Sequence, residues 1–218
     1  MEVKPGYKRT DTGIIPKDWN VVTVGKAGQV IGGRQRSPHH QGTLSKYLRV
    51  ANVFDGDIDT SDVLEMPFSP VERERFLLQD GDILLNEGQS IELVGRSAIY
   101  RGDPPNCCFQ NTLIRFRASA GTHTEFAHLI FQTYLRTGVF ASVALQTTLI
   151  AHLGSGRFAA LTMPLPSLVE QRAIAGALSD VDALIGALDQ LIAKKRDLKQ
   201  ATMQQLLTGR TRLVEVEP

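Results

Sequence analysis

The sequence predicts an α+β protein, in which a mixed α/β domain is followed by one long C-terminal helix. Three observations carry this. Residues 1–160 consist of short apolar runs separated by glycine and proline turns, among them Gly32-Gly33, Asp55-Gly56-Asp57, Asp80-Gly81-Asp82 and Gly102-Asp103-Pro104-Pro105. The pattern changes near Leu161, where the prolines of Met163-Pro164-Leu165-Pro166 block any helix running in from upstream. Beyond them apolar residues recur at helical steps as far as Leu206-Leu207. The expected division is a compact domain over residues 1–160, a helix region over 161–212 and a tail over 213–218.

Within the first domain the strand-like runs are residues 47–53, 83–85, 97–100 and 107–117. In the last of these Asn111, Leu113, Arg115 and Arg117 alternate with Thr112, Ile114 and Phe116, which predicts a half-buried strand with a basic outer face. Residues 124–145 read as helix, because Phe126, Leu129, Ile130, Tyr134 and Leu135 fall at three- and four-residue steps. Ser167 followed by Glu170 matches a capping box at the start of the long helix. Ile174, Leu178, Val181, Ile185, Leu188 and Ile192 then follow at steps of 4, 3, 4, 3 and 4, and Leu184, Leu191 and Leu198 form a second row at steps of seven. Lys194, Lys195, Arg196 and Lys199 lie toward the C-terminal half, where the helix dipole favours cations, and Gly209 is a natural residue to close the helix. About 40 residues at ~1.5 Å each make a rod of about 60 Å. A seam of that length outlasts the surface a small domain can offer. It calls for another helix, either its own second half after a break or a partner chain.

The 218 residues carry 24 Lys+Arg and 23 Asp+Glu, a net charge of +1, with 42% hydrophobic residues, which excludes a disordered chain. No apolar run approaches the ~18 residues of a membrane span, and no signal peptide is visible, so the expected location is the cytoplasm. The charge is unevenly spread. Residues 1–54 are net +6, 55–92 net −9 and 93–160 net +4. Residues 19–54 and 126–169 contain no acid at all, which permits a phosphate-facing surface despite the neutral total. Solvated loops are the plainer reading of such blocks.

Candidate catalytic signals fail on inspection, and neither a metal nor a cofactor is expected. Cys107 and Cys108 are adjacent, poorly placed to bridge each other, and no Cys/His cluster has zinc spacing. Gly102-Asp103-Pro104-Pro105-Asn106 has the outline of the base-stacking loop of amino-methyltransferases, but Asn106 stands where an aromatic ring is required. Asp82 with Glu87-Gly88-Gln89 has the outline of a metal-dependent nuclease pair, yet Gln89 occupies the place of the essential lysine. Gly154-Ser155-Gly156 lacks the Lys-Ser/Thr of a phosphate loop, and His39-His40 lacks a third ligand.

Taken in order along the chain, several segments resemble the specificity (S) subunit of type I restriction–modification systems. They are Ile15-Pro16-Lys17-Asp18-Trp19, residues 47–53 with Asp55-Gly56-Asp57-Ile58, Gly81-Asp82-Ile83-Leu84-Leu85, Gly95-Arg96-Ser97-Ala98, Gln110-Asn111, and Pro164-Leu165-Pro166 running into Glu170-Gln171 and Ile174-Ala175. The ending Leu206-Leu207-Thr208-Gly209-Arg210 fits as well. A typical S subunit holds two target recognition domains and two spacer helices, whereas this sequence has room for one of each. The resemblance implies a non-catalytic subunit that reads double-stranded DNA and carries methyltransferase (M) subunits, and in some systems restriction (R) subunits. It further implies two copies joined through antiparallel helices as a coiled coil, reading a bipartite palindrome. The alternative is a truncated S-subunit remnant that assembles with, or regulates, a full-length S chain.

Reading DNA requires phosphate contacts for register and bidentate groups for base edges. The expected base-reading groups are Arg34, Gln35, Arg36 and Ser37 on the first loop, where Gly32 and Gly33 permit close backbone approach. Asn86, Gln89 and Ser90 with Arg96 make a second loop, and Thr147 and Arg157 a third. Lys46 and Arg49 are the expected phosphate contacts. The expected dimer seam is Ile174, Leu178, Val181, Leu184, Ile185, Leu188, Leu191, Ile192 and Leu198. The same helix is expected to offer part of the surface for M subunits.

Overall fold

The computed structural model describes residues 4–37 and 41–214, so the His39-His40 doublet and the last four residues lie outside the described residues. It resolves into two compact units, Met1–Ala173 and Ile174–Pro218. The first unit therefore runs past the expected boundary at residue 160. It takes in a further strand and the first turn of the long helix.

In chain order the first unit contains β1 (Tyr7–Thr10), β2 (Gly13–Pro16), β3 (Asn20–Thr23), α1 (Val24–Ala27), β4 (Gly28–Gly32) and β5 (Thr43–Leu48). A single 3-10 turn, Val50–Asn52, ends the run that reads as a strand to residue 53. Then come β6 (Leu64–Phe68), α2 (Pro70–Phe76), β7 (Ile83–Asn86), β8 (Gly88–Gln89), β9 (Ser97–Ile99), β10 (Cys108–Phe109) and β11 (Leu113–Ala118). The last elements are α3 (Thr124–Arg136), α4 (Val139–Val143), β12 (Leu145–Gln146), β13 (Ala151–His152), α5 (Ser155–Ala160), β14 (Thr162–Leu165) and α6 (Leu168–Leu207). The helix expected over 124–145 is thus two helices with a break at Gly138, which sits in the left-handed region at φ 77°.

The centre is a four-stranded antiparallel sheet in the order β4-β11-β7-β9. Both of its faces are covered. From β11, Phe116 packs edge-on against Phe131 at 5.1 Å, in a cluster completed by Phe158 and Phe140. Leu113 joins a second cluster with Tyr47, Leu48, Phe68, Phe76 and Phe109, built around the sheet β10-β5-β6. Coverage on both sides overturns the expected basic outer face of residues 107–117. Leu113, Ile114, Arg115 and Phe116 are all buried. Arg115 donates to Gln29 Oε1 at 2.5 Å and lies over the Phe109 ring, and its burial lowers its pKa. Arg117 forks onto Asp82 at 2.6 and 2.7 Å.

The long helix begins as its sequence signals. Glu170 N–H donates to Ser167 Oγ at 3.3 Å. The adjacent Gln171 is fully buried, where its amide donates to Gly121 O and Pro166 O and its Oε1 accepts the His123 N–H at 2.7 Å. The bonds to Gly121 and His123 tie the first helical turn to the loop before α3. The helix then runs unbroken to Leu207 in spite of Gly176 and Gly186, and closes at Gly209 with φ 68°. An unbroken helix removes one of the two expected partners for its seam, a folded-back second half.

Candidate nucleic-acid interface

The second and third expected loops are brought together by a small sheet, β12-β13-β8. Gln89 stands opposite Ala151 and Gly88 opposite His152. Glu87 Oε2 lies 3.0 Å from His152 Nδ1, Leu153 N–H donates to Glu87 O at 2.8 Å, and Arg157 donates to His152 O at 2.8 Å. Gln89, Ser90 and Arg157 are half-buried at this junction, and Thr147 is exposed on the hairpin beyond it. Arg96 is half-buried, with its guanidinium 4.7 Å from the centre of the exposed Phe54 ring.

The first loop joins the same region through Gln110-Asn111-Thr112, a segment outside the expected reading set. Asn111 N–H donates to Arg34 O at 3.0 Å, Glu87 N–H to Thr112 O at 2.9 Å, and Val50 N–H to Thr112 Oγ1 at 3.0 Å. One polar tripeptide therefore connects the loops that follow β4, β5 and β7. The signal for it lies in the sequence, since three polar residues interrupt the apolar run 107–117 where β10 ends and β11 begins. His152 is a further residue of this surface outside the expected reading set, held against Glu87 of the second loop.

Two of the expected base-reading residues are internal. Arg34 is 4% exposed. It is paired with Glu72 through bonds of 2.8 and 3.1 Å and stacked 4.8 Å over Phe68. The guanidinium holds the Glu72 carboxyl down at about 2, with help from the Ser69 N–H. Asn86 is completely buried and donates to Val53 O. Both are removed from the reading set, because a side chain spent on the interior cannot reach a base edge. The Gly33 close approach is also internal, since a Cβ there would lie 2.1 Å from Gln110 O. Gln35 and Arg36 remain exposed, and Ser37 is half-buried.

The two expected phosphate contacts stand beside acids. Lys46 on β5 faces Glu65 on β6, and Arg49 pairs with Asp62. The carboxylate of Asp82, which has the outline of a nuclease ligand, is engaged by Arg117 and the Gln79 N–H. Among the described residues no group of three His, Cys, Asp or Glu is placed to hold a metal ion, and no helix is long and apolar enough to cross a membrane. Burial pushes the Cys107 thiol up to about 12 and the Cys108 thiol to about 11.

On the second unit, the row expected as a seam is exposed from Leu178 to Leu198 along the isolated chain, with Leu184 at 60%, Leu188 at 50% and Leu198 at 58%, while Ile174 is half-buried.

Comparison with known proteins bears on both units. Residues 16–195 match the family model for the type I restriction modification DNA specificity domain. The provisionally named MjaX type I restriction enzyme specificity subunit of Methanocaldococcus jannaschii is 26% identical over 207 residues, which cover 93% of this chain and 48% of that protein. The EcoKI specificity subunit of Escherichia coli K12 is 22% identical over 183 residues, 81% of this chain and 39% of that one. Among solved structures, the HsdS subunit from Thermoanaerobacter tengcongensis superposes with a TM-score of 0.58 at 16% identity, covering 92% of this chain and 47% of that chain. A chain from a structure of type I R-M complex assembly and conformational transition superposes at 0.62 and 18% identity, covering 88% and 46%. The chain thus spans about half the length of the relatives it matches.

Proposed function

The chain belongs to the type I restriction–modification DNA specificity family, and from that premise we propose that it is a half-length specificity subunit, non-catalytic in itself. It reads one half of a bipartite DNA site and dimerises through α6 to read the other. The observation that carries this reading is the unbroken 40-residue helix with its apolar row exposed, in a chain that spans about half of its relatives. A two-fold pairing of that helix restores two recognition domains, and two identical domains read a palindrome with an unread spacer. Base reading is assigned to the exposed Gln35 and Arg36 with Ser37, and to Gln89, Ser90, Arg96, Thr147 and Arg157 on the surface joined by the β12-β13-β8 sheet. Lys46 and Arg49 are kept as phosphate contacts of reduced weight, because each stands beside a carboxylate. Methyltransferase subunits supply the chemistry and dock in part on the helix. In systems with restriction subunits, those join the same assembly.

Methylome mapping tests the whole reading. A host carrying this chain with its M subunit should show one bipartite methylated motif, and deletion of the chain should erase it. A methylome unchanged by the deletion refutes the reading. Sedimentation of the purified chain separates a symmetric dimer from a remnant that stays monomeric until a longer S chain is added.

A further inference from the structure

The hairpin of β12 and β13 ends in an apolar tip that the polar reading loops do not account for. Its turn is closed twice, since the Thr147 N–H and hydroxyl both donate to Ile150 O, at 2.8 and 2.9 Å. Turn tips in water favour Gly, Asn, Asp and Ser. Here Leu149 is 85% exposed, with Leu145 at 62% and Ile150 at 45%. Three apolar side chains on one hairpin form a patch rather than a scatter. The patch is continuous with the candidate interface, because β13 is hydrogen-bonded to the strand that carries Gln89. The whole of residues 126–169 lacks an acid, so nothing on this stretch repels a phosphate backbone. Gln146, Thr147 and Thr148 flank the tip with hydrogen-bonding groups.

Resting on the DNA-reading function above, we propose that Leu149, flanked by Leu145 and Ile150, inserts at a base step of the bound duplex and partly unstacks it. An apolar side chain finds its partners in base faces and thymine methyl groups, not in phosphates. A turn already closed by two bonds enters the stack without first being ordered. Pyrimidine–purine steps open most easily, so the wedge adds discrimination at a step that no polar loop touches. Insertions of this kind kink a duplex by about 20–90°.

The test uses the full chain with its M subunits and a duplex carrying the methylated motif mapped in the host. End-to-end energy transfer reads the bend, and titration reads affinity for this duplex and for a scrambled one. The wild-type assembly should bend the motif duplex. Leu149→Ser, a change at an exposed turn, should straighten it and weaken motif binding about tenfold, with scrambled-duplex affinity and salt slope unchanged. Equal bend and equal affinity in the variant overturn the wedge, and loss of M-subunit capture in such a variant reassigns the tip to a protein contact. A wild-type assembly that prefers neither duplex overturns the DNA-reading function itself, and the wedge falls with it.

Discussion

Replacing Leu188 measures what the helix seam contributes. In the isolated chain Leu188 is 50% exposed, so a partner helix has about half of that side chain left to cover. Full burial of a leucine contributes about 1.5–3 kcal/mol, which leaves about 1 kcal/mol per chain for the partner to supply. A two-fold interface counts each substitution twice. Leu188→Ala should therefore weaken the dimer by about 2 kcal/mol, or about 30-fold in Kd. Leu188→Glu combined with Leu184→Glu places four carboxylates in the seam at a cost of several kcal/mol, and the dimer should disappear at micromolar concentration. Glu and Leu are nearly equal helix formers, so the helix itself should survive. Sedimentation equilibrium reads the association and far-UV circular dichroism the helix. If the double Glu variant sediments as the wild type does, with its helix intact, the seam is not the contact and the two-fold pairing of α6 fails.

Three further outcomes follow from the first unit. Arg34→Ala should cost about 3 kcal/mol in urea unfolding, because it strands a partly buried Glu72, whereas Arg36→Ala should leave the unfolding midpoint in place and weaken DNA binding; the reverse pattern would return Arg34 to the reading surface. The Glu72 carboxyl titrates at about 2 in the fold and near its ordinary value when unfolded, so the unfolded chain binds the extra proton, and the stability from this group is complete above that ordinary value and is lost as pH falls toward about 2. Glu72→Gln should flatten that part of the acid slope in urea midpoints measured from pH 5 to 2. Cys107 and Cys108, with thiols held at about 12 and 11, should resist an aromatic disulfide reagent at pH 8 and react only in denaturant.

The helix was legible because its signals are local. Ser167 and Glu170 at its start, the heptad steps and Gly209 at its end all lie in or beside the element they define. The strands were legible in place but not in environment. Alternation along 107–117 reads as one covered face, and the sequence contains nothing that announces a second layer over Arg115 and Arg117. The same limit caught Arg34. A Gly-Gly-Arg-Gln-Arg loop has the composition of a nucleic-acid contact, and only its bond to Glu72, 38 residues away, turns one arginine inward. Loops two and three read as separate polar turns in the sequence, while the sheet that unites them pairs residues more than 60 apart.

The blockwise charge pattern has the same origin. Four of the acids of residues 55–92 are partners for bases held elsewhere in the chain: Asp62 for Arg49, Glu72 for Arg34, Asp82 for Arg117, and Asp55 for Arg136. Their pairing consumes basic residues from both of the flanking positive blocks. Net charge per segment therefore overstates the positive surface available to a phosphate backbone, and the attraction falls to bases outside those pairs, Arg36 among them. With Arg34, Arg49, Arg117 and Arg136 spent on those pairs, the domain draws more of its affinity from hydrogen-bonded base contacts and shape. Its DNA binding should then fall with salt less steeply than that of a protein with six to ten phosphate contacts, whose affinity drops about 10³–10⁵ between 50 and 200 mM salt.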